Sequence, residues 1–413
     1  MKIAIVGTGV SGLVCGWMLH RDHDVTLFEA NDYVGGHTHT VPVELAGRRF
    51  DVDTGFIVYN ERTYLAFTEI LRRLSVATQA TEMSFSVRSD PDDLEYNGSS
   101  LNSLFAQRRN LVRPSFLRMV RDILRFGREA LSAIGDASDD VTIEEFVAAG
   151  KYGQAFVDHY LEPMGAAIWS CPRGAFRRFP LRFVVEFMHN HGLLRVSGRP
   201  QWRVVCGGSA TYVKALTAGF RDAIRLRAPV RSIRRANAAA SVATDAGTGT
   251  FDHVIVACHS DEALALLADP SPVERDLLGA FPYQNNDAVL HTDRSMLPRR
   301  RRAWAAWNYL LHTGEEDRST VTYNMNILQG FDQREQLCVT LNDTARIDPA
   351  RILGRYAYAH PVFTVRRTGA QRRHLEVVNV NRTSFCGAYW RYGFHEDGVQ
   401  SALAVCRALG HTL

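Results

Sequence analysis

Lysine is almost absent from this sequence. Lysine and arginine together number 48 in 413 residues, yet lysine stands only at Lys2, Lys151 and Lys214. Arginine therefore carries nearly all of the positive charge, while the net charge at pH 7 is only +4. Because no lysine follows position 214, chemistry that needs a lysine later in the chain is disfavoured.

Paired cysteines and long apolar runs are also missing. The seven cysteines are scattered, odd in number and without a Cys-x-x-Cys motif, so neither a disulfide framework nor a metal site is predicted. No apolar run approaches the roughly 20 residues that a membrane-spanning helix needs. Glycines interrupt the apolar run after Lys2, which argues against a secretion signal. We therefore expect a cytoplasmic protein with reduced cysteines, with a peripheral position at the inner face of the membrane as the alternative.

The start of the chain carries a nucleotide-binding pattern. A short apolar run typical of a buried parallel strand ends at Val6, and Gly7, Gly9 and Gly12 follow with the G-x-G-x-x-G spacing. These glycines allow a tight turn, the approach of a diphosphate to bare backbone, and close packing of a helix on a sheet. The helix that follows points its free N–H groups and positive dipole end at the diphosphate. A second strand then delivers Glu29 about 20 residues after the glycines, where a carboxylate binds ribose hydroxyls.

The residues after Glu29 resemble the FAD-binding signature of the flavin amine oxidase and phytoene desaturase superfamily. They read Gly35-Gly36-His37 and later Asp53-Thr54-Gly55, where the superfamily has Gly-Gly-Arg and Asp-x-Gly. His37 replaces the arginine, and a neutral histidine donates one hydrogen bond without a permanent charge. The resemblance implies FAD as the cofactor. In this part of the chain it implies these FAD-binding residues: Gly7, Gly9, Val10, Ser11, Gly12, Glu29, Ala30, Gly35, Gly36, His37, Thr38, Gly55, Phe56 and Ile57.

Two later stretches resemble the other FAD segments of the superfamily. Val230 begins a strand pattern that in the superfamily touches the adenine region. Near the C-terminus, a Phe-x-Gly strand and a helix entry rich in small residues imply helix N–H groups near the flavin pyrimidine, where they stabilise negative charge on the reduced ring. Cys386 lies inside that strand motif and is expected to be packed rather than bonded to flavin. The FAD-binding residues implied here are Val230, Gly387, Asp397, Gly398 and Val399.

The resemblance covers the beginning, middle and end of the chain, which a single FAD would hold together. We therefore predict an α/β fold with a discontinuous Rossmann-like FAD-binding domain and a mixed α+β substrate domain. The predicted FAD-binding segments are residues 1–62, 196–264 and 371–413. The predicted substrate segments are residues 63–195 and 265–370.

Two stretches are rich in arginine. Residues 107–134 alternate seven arginines with apolar residues, and Pro114 suits the first turn of a helix. Two interpretations stay open: a core-packed helix with a solvated basic face, or a helix lying on an anionic membrane surface. Residues 299–307 place four arginines before two tryptophans. This pattern is typical of a solvent-exposed surface, and it also suits a surface that contacts phospholipid headgroups. No nucleic-acid-binding motif accompanies these stretches, so nucleic acid is not predicted as a partner.

Several motifs are similar to those of a bacterial branch of short flavoproteins in the superfamily. Members of that branch are associated with unsaturated or methyl-branched fatty acyl chains, so the resemblance implies an FAD-dependent oxidoreductase that desaturates a phospholipid-borne acyl chain. Typical flavin amine oxidases use a lysine in the second half of the chain to hold a water against flavin N5, and this sequence has none after Lys214, which disfavours an ordinary amine oxidase without excluding it. A flavin oxidase of small amines and a flavin-dependent double-bond isomerase remain alternatives. The motifs are Asp53–Asn60, Pro163–Ser170, Asn190–Leu194, Ala303–Asn308 and His360–Phe363.

The candidate catalytic residues are aromatic or polar residues from the same regions. Each also suits the wall of a pocket for a lipid or small-molecule substrate, and packing explains them more readily than bond breaking. His189 and His191 stand two residues apart and have no clustered carboxylates, so they do not predict a metal site. No Ser-His-Asp or Cys-His pattern is present. The candidates are Tyr59, His191, Trp307, Tyr309 and Tyr392.

Overall fold

The structure is a computed structural model that describes residues 1–136, 141–312, 319–332, 334–362 and 364–413. Phe363 of the His360–Phe363 motif therefore lies outside the described residues. The strands are β1 (Lys2–Val6), β2 (Asp24–Phe28), β3 (Thr40–Leu45), β4 (Arg48–Asp53), β5 (Tyr59–Asn60), β6 (Thr78–Thr81), β7 (Phe85–Ser89), β8 (Leu94–Asn97), β9 (Trp202–Val205), β10 (Ile224–Arg225), β11 (Val230–Arg235), β12 (Ala240–Thr244), β13 (Gly247–Phe251), β14 (His253–Val256), β15 (Tyr283–His291), β16 (Trp307–Leu311), β17 (Val321–Asn324), β18 (Cys338–Leu341), β19 (Ile352–Pro361) and β20 (Thr383–Phe385).

Helices connect and cover these strands. They are α1 (Val10–Leu19), α2 (Leu65–Arg73), α3 (Leu101–Leu104), α4 (Pro114–Asp136), α5 (Ile143–Ala149), α6 (Gln154–Phe156), α7 (Glu162–Trp169), α8 (Arg173–Arg177), α9 (Leu181–Asn190), α10 (Ala210–Thr217), α11 (Ser260–Leu266), α12 (Pro272–Leu278), α13 (Met325–Gln329), α14 (Val365–Arg372) and α15 (His395–Ala408). A π-helical turn, Val157–Leu161, joins α6 to α7. Helix α4 begins at Pro114, as predicted, because proline lacks only an N–H that the first turn does not use.

A five-stranded parallel sheet organises the nucleotide-binding part. Its order is β10-β2-β1-β14-β20, so it draws strands from the beginning, the middle and the end of the chain. Parallel strands present their carboxyl ends at one edge, and ligands of open α/β sheets bind there, where the strand order reverses. The residues that follow β1, β2 and β20 therefore meet at this edge. The predicted α/β class with a Rossmann-like parallel sheet is confirmed.

The alternation of side chains in β1 explains why both faces of this sheet are covered. Ile3 and Ile5 pack with α1 and α15, while Ala4 and Val6 pack with β11, β12 and α11 on the other face. All four are buried. A strand buried on both faces reads as a continuous apolar run because successive side chains point to opposite sides.

A seven-stranded sheet and the helices from α4 to α9 form the other large part. The strand order is β19-β15-β18-β17-β16-β7-β8, and β7 joins the later strands by a parallel pairing with β16. The core of this part is rich in aromatic rings. The ring of Trp169, for example, contacts the rings of Phe176, Phe179 and Phe187, with centroids 5.0–5.9 Å apart. No helix in the described ranges is both long and apolar enough to cross a membrane.

Candidate functional site

The turn after β1 forms an open cradle at the carboxyl edge of the parallel sheet. Gly7 has φ of +99° and donates its N–H to the carbonyl of Phe28 at 2.8 Å. A Cβ on Gly12 would lie 2.0 Å from the carbonyl oxygen of Gly7, so only glycine fits there. Gly9 caps α1 without a side chain, and a Cβ on it would meet no atom within 4 Å. The N-terminus of α1 therefore has open space beside Gly9, which suits a diphosphate.

The loop after β2 closes on this turn. Gly36 has φ of +59°, and a Cβ there would lie 3.1 Å from Cα of Gly9. We call the facing residues Gly7–Gly12, Gly35 and Gly36 the glycine cradle. The loop is fixed in turn by the segment after β4, since Phe56 donates its N–H to the carbonyl of His37 at 2.7 Å. Gly55 allows this approach because a Cβ on it would lie 2.2 Å from the same oxygen.

Glu29 stands beside the cradle and is held by a network of donors. Its buried carboxylate accepts hydrogen bonds from the N–H of Thr8 at 3.0 Å, the hydroxyl of Thr8 at 2.5 Å and the N–H of Asn31 at 2.9 Å. Its carbonyl accepts the N–H of Ala228 at 2.8 Å. Val230, the first residue of β11, follows Ala228 by two residues and is therefore held close to Glu29. Ala30, next to Glu29, is exposed. The structure thus brings together the residues expected at the ribose and adenine.

The first turn of α15 lies against the first turn of α1. The hydroxyl of Ser11 donates to the carbonyl of Gly398 at 2.9 Å, and a Cβ on Gly398 would lie 2.6 Å from a methyl group of Val10. Two helix N-termini therefore point at one region, and their dipoles favour negative charge there. Asp397 caps α15 by accepting the N–H of Phe394 at 2.9 Å, and burial raises its pKa to about 7. Val399 is buried in the same turn.

Gly387 precedes this region at the end of β20. Its N–H donates to the hydroxyl of Ser401 at 2.9 Å, which ties the strand end to α15. Cys386 beside it is fully buried and lies 4.0 Å, Sγ to Sγ, from Cys15 of α1. All seven cysteines of the chain are free thiols. The glycine turns, the two helix N-termini and the Glu29 carboxylate fit the diphosphate, flavin and ribose parts of FAD.

Three side chains next to the cradle form a hydrogen-bonded chain that the sequence did not reveal. The hydroxyl of Thr38 lies 2.7 Å from the hydroxyl of Tyr212, which lies 2.6 Å from Nε2 of His395. The ring of His395 stacks on Phe56 at a centroid distance of 3.7 Å. Burial lowers the pKa of His395 to about 3, so this histidine is neutral. Tyr212 sits in an unremarkable stretch of α10, and no local motif marks it as part of a site.

Histidines also surround His37. Its ring centroid lies 5.3 Å from that of His360, 6.0 Å from His259 and 5.1 Å from Tyr358. Desolvation and the neighbouring histidines keep the pKa of His37 well below its ordinary value. His37 therefore supplies a neutral donor, and the helix dipoles supply the positive potential. Sequence reasoning missed His259, whereas the His360–Phe363 motif contained a signal for His360. Among the described residues, no group of three or more His, Cys, Asp or Glu could hold a metal ion.

Two of the predicted catalytic residues share a neighbour. His191 stacks on Phe187 at 3.9 Å, and Tyr392 lies 5.8 Å from the same ring. Nδ1 of His191 lies 2.9 Å from the carbonyl of Phe187, and Nε2 lies 3.4 Å from the hydroxyl of Thr63. Burial lowers the pKa of His191 to about 4. Burial, followed by the nearby Glu186, raises the pKa of Tyr392 to about 12, and its hydroxyl donates to Glu186 at 3.4 Å.

The other three candidates are packed residues. Tyr59 is buried in β5, with its ring 5.4 Å from that of Phe67. Trp307 and Tyr309 stand two residues apart on β16. Their side chains therefore point to the same face of the seven-stranded sheet. Trp307 packs edge-on against Tyr323 at 5.0 Å. These positions suit the wall of a pocket or the core better than direct chemistry.

The three lysines all have exposed side chains. Lys2 begins β1 at the opposite end of the strand from Gly7, Lys151 follows α5 in a turn, and Lys214 sits on the exposed side of α10. No lysine is therefore among the buried side chains that surround the cradle in the described part of the chain.

Comparisons with known proteins agree with this geometry. The sequence profile of the family described as flavin containing amine oxidoreductase matches residues 10–325. A putative flavin-containing monoamine oxidase, AofH, from Mycobacterium tuberculosis is 27% identical over 288 residues, which are 65% of this chain and 59% of that protein. This chain thus spans less than two thirds of the length of that relative.

Solved structures share the fold over nearly the whole chain. A CLA-producing fatty acid isomerase from P. acnes has a TM-score of 0.68 at 14% identity, covering 98% of both chains. Cyclohexylamine oxidase from Brevibacterium oxydans has a TM-score of 0.67 at 15% identity, covering 99% of both chains. At such identities the likeness shows the fold alone. Together with the profile match over more than half of its length, the cradle and the Glu29 site show that this chain belongs to the flavin-containing amine oxidoreductase family, with FAD as its cofactor.

Proposed function

We propose that this protein dehydrogenates a fatty acyl chain, unsaturated or methyl-branched and carried by a phospholipid. The observation that carries the proposal is an aromatic wall beside the first turn of α15. Phe187 stacks with Phe394 at 4.8 Å, Tyr392 lies 5.1 Å from Phe183, and His191 stacks parallel to Trp202 at 5.9 Å. The rings of Phe183, Trp202, Tyr392 and Phe394 are partly exposed. The aromatic wall consists of Phe183, Phe187, Trp202, Tyr392 and Phe394.

Four carboxylates that a cationic substrate could use are already hydrogen-bonded within the fold. Glu186, at the wall itself, accepts the hydroxyl of Tyr392 at 3.4 Å. Glu396 accepts the N–H groups of Ala66 and Phe67 at 3.1 and 2.9 Å. Asp397 caps its own helix, and Asp53 accepts the N–H and hydroxyl of Ser209. A cationic substrate would therefore compete with these bonds for a counter-charge, whereas a hydrocarbon chain needs none. This arrangement supports an apolar substrate.

The reaction removes two hydrogens from neighbouring carbons and leaves a double bond. FAD, when bound, supplies the acceptor for one hydrogen as hydride, and the other leaves as a proton. The apolar wall excludes water, and the N-terminus of α15 stabilises negative charge that develops beside it. We assign His191 as the proton acceptor, since the carbonyl at Nδ1 keeps the ring proton there and leaves the lone pair on Nε2.

Anaerobic single-turnover experiments test this function. The yellow holoprotein is mixed with phosphatidylglycerol carrying methyl-branched acyl chains, and flavin absorbance and lipid mass are followed together. We expect bleaching of the flavin and a lipid product that lacks two hydrogens. His191→Gln should slow bleaching about 100-fold with FAD still bound, whereas the matched control His189→Gln should bleach at the wild-type rate.

Other outcomes identify the competing functions. An oxidase of small amines, which the family and the aromatic wall also suit through cation–π contacts, would bleach with amines and leave the lipid unchanged. A double-bond isomerase, as in the similar fold from P. acnes, would move a double bond without a change of lipid mass. Either result would overturn the proposed dehydrogenation.

A further inference from the structure

The fold places the start of one arginine-rich stretch beside the middle of the other. Helix α3 contacts the short 3-10 turn Arg301–Ala303, although the two are separated by about 200 residues of sequence. Arg108, which follows α3, donates to the side-chain oxygen of Asn102 at 2.6 Å and to the carbonyl of Phe105 at 3.0 Å. The start of the 107–134 stretch and the middle of the 299–307 stretch therefore lie side by side.

Exposed apolar side chains are concentrated on this surface. Among the residues that the structure describes, 13 large hydrophobic residues are exposed, and five of them fall between positions 101 and 124. Such a concentration is unusual for a face that meets only water, since contiguous apolar patches mark interaction sites. The five are Leu101 (76% exposed), Leu111 (52%), Val112 (81%), Leu117 (43%) and Leu124 (47%).

Helix α4 alternates these apolar residues with arginine on its outer face. Phe116, Met119 and Phe126 are buried against the protein. The opposite face carries Leu117, Arg121, Leu124 and Arg128, spaced four, three and four residues apart, which aligns them along one side of a helix. All four are exposed. The guanidinium groups and alkyl stems of the two arginines thus share one strip of the protein surface with the two leucine side chains.

The charge of the strip remains positive after ion pairing is considered. Asp122 lies on the buried side of α4, where its carboxylate accepts the N–H of Gly153 at 2.9 Å and has Arg121 at 3.9 Å. Arg128 has no ion pair within the described part of the chain. In contrast, Arg299 and Arg300 are paired with Asp90 and Glu95 at 3.0 and 3.1 Å.

The remaining two arginines of the 299–307 stretch belong to the surface. Arg301 and Arg302 are exposed, and Arg301 stacks over Trp304 with its guanidinium carbon 5.2 Å from the ring centroid. We define the α3–α4 surface by its exposed side chains. They are Leu101, Leu111, Val112, Leu117, Arg121, Leu124, Arg128, Arg301 and Arg302.

We propose that the α3–α4 surface docks this protein on an anionic lipid bilayer. Guanidinium groups bind headgroup phosphates, while aliphatic side chains between them enter the headgroup–acyl boundary. The occupant is a bilayer rather than a protein groove because the surface combines cations, of which Arg121 alone has a carboxylate within 4 Å in the described ranges, with scattered aliphatic tips along a 23-residue helix. The docking does not depend on the acyl substrate proposed above, so each of the two proposals can fail alone.

Vesicle flotation tests the docking with the holoprotein. The wild type is mixed with phosphatidylcholine vesicles that contain or lack phosphatidylglycerol. We expect binding only to the anionic vesicles, and weaker binding as salt rises. Arg121→Ala with Arg128→Ala should weaken it about 30-fold, and Leu117→Ser with Leu124→Ser about tenfold.

Matched surface changes elsewhere control for general effects. Arg234→Ala with Arg275→Ala removes two exposed arginines, and Val273→Ser with Leu375→Ser removes two exposed apolar side chains that are 38% and 70% accessible. Both control pairs should float like the wild type. Failure of the wild type to bind anionic vesicles, or equal binding by the Arg121/Arg128 variant, would overturn the proposal.

The same variants distinguish a protein interface. If sedimentation shows a wild-type dimer that the Leu117/Leu124 variant converts to a monomer, and flotation is absent, the α3–α4 surface is a contact between two copies and the bilayer proposal is wrong. A monomeric wild type that floats only with anionic lipid supports the proposal.

Discussion

Two glycines of the cradle, three residues apart, should respond to alanine in different ways. A Cβ on Gly9 would enter open space in front of α1, and its φ of −64° and ψ of 175° are accessible to alanine. A Cβ on Gly12 would instead lie 2.0 Å from the carbonyl oxygen of Gly7. Gly9→Ala therefore probes the space for the diphosphate, and Gly12→Ala probes the packing of helix on strand.

The sizes of the two effects follow from these contacts. Gly9→Ala should cost the apoprotein no more than about 1 kcal/mol as a change of N-cap. With FAD it should lose a hydrogen bond to a charged phosphate, worth about 1.5–3 kcal/mol, which raises Kd about 10- to 150-fold. Alanine normally stabilises a helix by about 1 kcal/mol over glycine, but at Gly12 the collision should destabilise the apoprotein by about 3 kcal/mol.

Two measurements separate these outcomes. Urea denaturation of the flavin-free variants gives the free energy of unfolding, and quenching of flavin fluorescence on titration gives Kd for FAD. We expect Gly9→Ala to fold like the wild type and bind FAD weakly, and Gly12→Ala to be impaired in both. Wild-type FAD affinity in Gly9→Ala would refute the placement of the diphosphate at the N-terminus of α1.

Three further predictions concern charged groups. Glu29→Gln replaces a carboxylate that accepts four hydrogen bonds and should raise Kd for FAD at least about tenfold through loss of a charge-assisted bond, measured by the same fluorescence titration. Burial raises the pKa of Asp397 to about 7, so the folded protein holds this proton more tightly than the unfolded chain does. The stability that results from this difference is fully present below about pH 4, and it is lost as the pH rises through 7. Urea denaturation should therefore show the wild-type apoprotein losing up to about 4 kcal/mol relative to Asp397→Asn between pH 4 and 8, and a constant difference would contradict this account. Arg235→Ala leaves the buried Glu274 carboxylate without its guanidinium partner and should cost about 3–5 kcal/mol of folding stability, whereas Arg231→Ala, in an exposed pair with Asp245, should leave folding stability nearly unchanged.

The placement of His37 shows where sequence reasoning reached its limit. The motif after Glu29 identified the position and its missing charge, because that information is local. It could not show that His259 and His360 come to lie beside it, since those residues follow β14 and end β19, and only the order of the sheets brings these strands together. The same holds for Tyr212 and His395, which are 183 residues apart and share one hydrogen bond.

The arginine-rich stretches give a second example. The alternation in residues 107–134 predicted an amphipathic helix, and Pro114 marked its start. The four arginines from Arg299 to Arg302 looked equivalent in the sequence. The structure pairs Arg299 and Arg300 with carboxylates of β8 and the turn before it, and leaves Arg301 and Arg302 beside α3.

The sequence by itself determined the elements whose signal lies in neighbouring residues: the glycine turn, the first two strands of the parallel sheet, the acid after β2 and the α/β class. Spacing suffices for these because backbone sterics and side-chain periodicity act over a few residues. Tertiary structure alone decided that the first turn of α15 rests on that of α1, that His259 and His360 lie beside His37, and that two distant basic stretches come to lie side by side. These contacts depend on strand order and packing between remote segments, which no local pattern encodes.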